Sequence, residues 1–129
     1  MPILLVAALL FAATDVPPPG QDFSARVMQG KLAEAGATGP AYQKQLWSRI
    51  NNPTTTALKA CIASNTPADK SPFTLVADIQ ADGKPARIDV LPPTPVATCM
   101  AGQFATWMLP TPPARPAPYP IEIDFSIVP

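Results

Sequence analysis

Cys61 and Cys99, 38 positions apart, are the residues of this chain best suited to covalent chemistry. An even cysteine count in a small exported chain predicts a disulfide between them, with two buried free thiols as the other reading. Two thiolates cannot complete a four-thiolate zinc site, and the absence of histidine removes Ser-His-Asp, Cys-His and His-ligated metal constellations. The acids Asp78, Asp82, Asp89, Glu122 and Asp124 show no spacing that pairs a general acid with a general base, and no glycine-rich loop could cradle a phosphate. The chain is therefore expected not to be an enzyme and to need no cofactor or metal. Lys plus Arg and Asp plus Glu both number 9, and no basic patch is interleaved with aromatics, so nucleic acid is not an expected partner. Recognition must be local, and a protein is the expected partner.

The compartment follows from the first residues. Positions 3 to 13 form an apolar run, Ile-Leu-Leu-Val-Ala-Ala-Leu-Leu-Phe-Ala-Ala, which is shorter than the about 20 residues a bilayer span requires. Residues 1–14 read as an export signal, a buried N-terminal strand or helix being the alternative, and no stable membrane span is expected after cleavage. The protein is then periplasmic or secreted. There, a bridge from Cys61 to Cys99 would contribute on the order of 4 kcal/mol by restricting the unfolded chain.

With 129 residues, of which 19 are proline, the chain is expected to build one domain from short elements. Residues 15–40 read as a Pro/Gly-containing linker with a possible short helix over Asp22 to Ala35, and residues 41–129 as the folded domain. Tyr42, Leu46, Trp47 and Ile50 recur at helical spacing until Asn51-Asn52-Pro53. A second helix is predicted from there to about Ser64, carrying Leu58, Cys61 and Ile62 on one side. Phe73, Leu75, Ala77 and Ile79 then alternate with Thr74, Val76, Asp78 and Gln80, Asp82-Gly83 offers a turn, and Ala86, Ile88 and Val90 alternate in return. A two-residue turn sets Ile79 against Ala86, Ala77 against Ile88 and Leu75 against Val90, with Asp78 and Arg87 as an exposed ion pair on the opposite face. A helix is predicted from about Val96 to Leu109, followed by a rigid proline-rich segment over 110–120. Ile121, Ile123, Phe125 and Ile127 close the chain as a one-sided strand. A helix returning along the sheet delivers that strand antiparallel to the first, giving an α+β fold with a three-stranded antiparallel sheet in order 2-1-3.

The stretch Phe73-Thr-Leu-Val-Ala-Asp-Ile-Gln-Ala-Asp-Gly-Lys84, the helix ending Phe104-Ala-Thr-Trp-Met-Leu-Pro-Thr-Pro-Pro113 and the closing Tyr119-Pro-Ile-Glu-Ile-Asp-Phe125 together resemble the TonB C-terminal domain, in its cysteine-containing AgmX-like branch. The resemblance covers about residues 61–129. It implies a binding domain whose final strand pairs with a short extended segment of a partner. The chain departs from the family's energy transducers, since its apolar run is short, it has no histidine, and only three consecutive prolines stand where a long spacer would be. A free-standing periplasmic module is implied.

Two functions follow as expectations. In the first, Ile121, Glu122, Ile123, Asp124, Phe125, Ser126 and Ile127 form an edge that accepts a partner peptide. In the second, the chain is a small secreted inhibitor or immunity-type protein that blocks an enzyme through the rigid 110–120 loop.

Overall fold

The computed structural model describes residues 19–128, so the apolar run of the expected signal lies outside the described residues. In chain order the elements are α1 (Pro19–Ala35), α2 (Gly39–Ser64), β1 (Phe73–Ile79), β2 (Pro85–Leu91), α3 (Pro95–Phe104) and β3 (Tyr119–Phe125). The strands form an antiparallel sheet in the order β2-β1-β3, the α+β arrangement expected from the alternation and chain direction. Cys61 and Cys99 are disulfide-bonded, joining the last turn of α2 to α3.

The hairpin is more irregular than its alternation suggests. Its loop has three residues, Ala81-Asp82-Gly83, because Gln80 N–H bonds the Lys84 carbonyl and Gly83 N–H bonds that of Gln80. Gly83 has φ +89°, and a Cβ there would fall 2.1 Å from the Leu109 carbonyl oxygen, so only glycine suits the position. The extra loop residue pairs Ile79 with Pro85 and Asp78 with Ala86, one step off the expected register. A bulge then places Arg87 and Ile88 opposite Ala77, with Arg87 at φ +49°. That second irregularity cancels the first, and Leu75 pairs with Val90 as expected.

The helices also differ from expectation in informative ways. Asn51-Asn52-Pro53 does not break the chain: α2 runs through it as one 26-residue helix. Pro53 lacks the N–H that would bond the carbonyl of Arg49, but both residues lie on the exposed side, where solvent replaces that bond. α3 starts on Thr94, whose hydroxyl accepts from Ala97 N–H at 3.1 Å, and stops at Phe104, five residues short of the expected end. Pro110 disfavours helical backbone at Leu109, and Leu109 instead donates its N–H to Gly83 at 3.0 Å. The third departure is the largest. The stretch expected as a linker with a possible short helix carries α1, a longer helix of 17 residues that is docked on the sheet and chiefly over β3.

The sheet is therefore covered on both faces, and unequally. Leu75, Ala77, Ile79, Tyr119, Ile121 and Ile123 pack with Leu46, Ile50, Cys61, Val96, Met100 and Phe104 of α2 and α3 in one hydrophobic core. On the α1 side, Phe23 and Val76 are the only buried hydrophobic residues outside that core among the described residues. The rest of this second layer is polar.

Candidate functional site: the β3 edge and its cover

Both sheet edges carry backbone groups that point away from β1, and they are defended differently. On β2, Pro85 has no N–H to offer, the bulge distorts the line at Arg87, and Val90 N–H is taken by the carboxylate of Asp89 at 2.9 Å. On β3, the orientation follows from two observations. Gln80 N–H points toward β2, so by alternation Phe73, Leu75, Ala77 and Ile79 bond β3, pairing with Phe125, Ile123, Ile121 and Tyr119. Pro120, opposite Asp78, falls in the other set, where a missing N–H costs no ladder bond. Glu122 and Asp124 thus direct their N–H groups outward, and neither has a hydrogen-bond partner among the described residues.

Of the seven positions expected to take a partner, Ile121, Ile123 and Phe125 are buried in the core, and Ser126 and Ile127 lie just beyond the strand. Asp124 and Ser126 are exposed and Ile127 half-buried. Glu122 is only 8% exposed because α1 lies over it, so the accessible part of the edge begins at Asp124. There Asp124 accepts from the hydroxyl of Thr74 at 2.7 Å.

Contact between α1 and β3 is made through Gly30. A Cβ at this position would stand 2.9 Å from Glu122 N and 3.0 Å from the Ile121 carbonyl carbon, both backbone atoms that cannot step aside. Gly30→Ala should therefore destabilise the fold by about 1–3 kcal/mol, the overpacking cost exceeding the roughly 1 kcal/mol gained in helix propensity. Urea denaturation measures the balance. A stabilised variant would show that α1 does not rest on the strand.

Around Gly30 the contacts are electrostatic. Asp78, expected to be exposed, is 7% exposed: Arg87 Nη1 lies 3.0 Å from its Oδ2 and Arg26 Nη2 3.8 Å from its Oδ1. Arg26 also donates to the Arg87 carbonyl, which the bulge turns toward α1. Lys31 Nζ sits 3.5 Å from Glu122 Oε1 and 3.9 Å from Asp124 Oδ2. Glu122 Oε2 is buried without a hydrogen-bond partner among the described residues. Burial, then the hydrogen bond and charge of Glu122, push the Glu34 carboxyl up to about 7, so in acid and near-neutral solution it can donate to that oxygen. Arg26, Lys31 and Glu34 do not stand out in the sequence as site residues. Their only signal is the polar stripe they make with Gly30 on a helix that otherwise has a weak apolar face.

A cleft of about 620 Å³ opens where α1 ends, between Leu32, Ala33, Arg87, Arg115, Pro118 and Tyr119. Its buried carboxylate, Asp78, is spent on Arg26 and Arg87, and Arg115 stands exposed at its margin. Neither Glu34 nor Glu122 lines it. Among the described residues no three metal-ligating side chains come together. The start of the 110–120 segment is pinned, with Tyr42 donating to the Pro110 carbonyl at 2.9 Å and Arg49 to that of Met108 at 3.2 Å.

These features define a disulfide-linked α+β domain whose distinctive surface is a half-covered sheet edge. Comparison with protein-family models, curated proteins and solved structures gives no match for the chain. No helix among the described residues is long and apolar enough to cross a membrane.

Proposed function

We propose that the protein is a non-enzymatic binding module of the periplasm or the extracellular space, and that it accepts an extended segment of a protein partner as a fourth strand beside β3. The observation that carries the reading is the undefended outward N–H of Asp124, with the exposed Ser126 continuing the chain beyond it, on a sheet whose opposite edge is blocked by Pro85, a bulge and the Asp89 carboxylate. The element order hairpin, helix, final strand supports a TonB C-terminal type of domain, and the Cys61–Cys99 bond fits an oxidising compartment. Affinity in this mode comes from main-chain hydrogen bonds, and the side chains at the edge set which segments fit.

The test places a photo-crosslinking residue at Ser126 and, separately, at Ala114 in the exported protein. Crosslinks to one protein from Ser126 support the edge. Crosslinks from Ala114 alone would replace it with the inhibitor-like loop. For the protein so captured, Ser126→Pro should lower binding at least about tenfold, because the lost N–H is one the partner uses, while Ser126→Ala should bind normally. Since Ser126 lies outside the ladder and is exposed, thermal stability should hardly change.

A further inference from the structure

We infer that α1 is a proton-operated cover over the N-terminal half of β3, seated while a protonated Glu34 donates to Glu122 and loosened when Glu34 ionises. The inference rests on the edge-strand reading only for its consequence, since lifting α1 would add the Glu122 N–H to the accessible edge.

The geometry leaves little choice of donor for Glu122. Its side chain is 6% exposed, Oε1 faces Lys31, and Oε2 has no partner among the described residues. Around it lie Lys31 and Glu34 from α1 and Asp124 from β3, with the Asp78–Arg26–Arg87 group across β1, while the Tyr119 hydroxyl faces Ala33 and Glu34. α2 and α3 pack on the other face and bring no charge to it. Lys31 is half exposed, so its charge is screened, and Asp124 adds a like charge on the same side. Gly30, whose added Cβ would stand 3.0 Å from Glu122 Cγ, lies one helical turn before Glu34, so Glu34 shares the α1 face over Glu122 and can donate to it when protonated. Once ionised, Glu34 places a second carboxylate beside it. The strain cannot be absorbed in place, because Gly30 already rests on the Ile121–Glu122 backbone. The apolar hold on α1 is small, consisting chiefly of Phe23 and Val76.

The direction of the pH effect follows from linkage. Glu34 is raised from 4.5 to about 7 with α1 seated. The seated form thus binds a proton that the lifted form gives up, so the contribution is complete below about 4.5 and is lost as pH rises through about 7. Because Glu34 is partly exposed, the expected loss is discounted to on the order of tenfold in the seating equilibrium.

Amide hydrogen exchange of the full chain at pH 5 and pH 8.5, corrected for intrinsic rates, reads this directly. Protection over Val27 to Glu34 should fall about tenfold at the higher pH, while Leu46 to Ile50 of α2 serves as the unchanged reference. Glu34→Gln keeps a donor for Oε2 at every pH, and α1 should stay protected throughout. Wild-type protection in α1 that ignores pH, or a Glu34→Gln variant that tracks the wild type, would overturn the cover. The measurement contains no partner, so its failure is distinct from a failure of the crosslinking test.

Discussion

Ala77→Asp is expected to leave no folded protein at neutral pH. Ala77 is 1% exposed at the middle of the central strand, paired with Ile121 and opposite the bulge, on the face covered by α2 and α3. No cation reaches that face, so an ionised carboxylate there would lose its hydration without compensation, which costs at least about 4 kcal/mol and matches most of a small domain's stability. Ala77→Val separates charge from bulk, since overpacking alone costs about 1–3 kcal/mol. Urea denaturation of both variants decides the matter. If valine and aspartate behaved alike, volume and not charge would limit the site. Asp78→Ala, one residue on, makes the contrast. Read as an exposed pair it would be near neutral, but it leaves Arg26 without its carboxylate beneath α1, and a loss of about 1–3 kcal/mol is expected.

That contrast shows what the sequence does and does not reveal. Alternation in Phe73 to Ile79 and Ile121 to Phe125 identifies the core face, because α2 and α3 require apolar side chains beneath them. It says nothing about the other face, since a polar face is the same whether it meets water or a polar helix. α1 meets the sheet through Arg26, Lys31, Glu34 and Gly30, so it has no strong apolar stripe and reads as part of a linker. Glu122 was legible as a β3 residue and as outward-facing, but not as covered. The hairpin misleads for a different reason: a third loop residue and the Arg87 bulge shift the register in opposite senses, so pairing is right at Leu75 and wrong at Ile79. Asp-Gly is compatible with both two- and three-residue loops, and only the Leu109 segment lying against Gly83 favours one. Pro53 reads as a stop because proline destabilises helix interiors by about 3 kcal/mol, a cost the packing of Tyr42, Leu46, Ile50, Ala57 and Cys61 on either side of it overrides.

Replacing both cysteines by alanine should cost about 4 kcal/mol while leaving the folded structure in place. Cys61 is 1% exposed at the end of α2 and its partner lies on α3, with Cα atoms 5.7 Å apart, so the helices meet there with or without the bond. Most of the stabilisation therefore lies in the unfolded chain, where a link across 38 residues removes loop-closure freedom. The enclosed loop runs through β1 and β2, which ties the hairpin to the layer that covers it. Two measurements separate this from a packing effect. Oxidised and reduced wild-type protein should differ in urea midpoint by nearly as much as wild type and the double variant, because reduction keeps both sulfurs in the core. Alkylation without reduction should label no thiol in the exported protein. A double variant within about 1 kcal/mol of the oxidised wild type would show that the α2–α3 contact alone holds the layer. The bond joins elements on the face opposite α1, so its removal should lower global stability without altering the pH response of α1 protection. The two faces of the sheet would then answer to different chemistry, one to the redox state of its surroundings and the other to their pH.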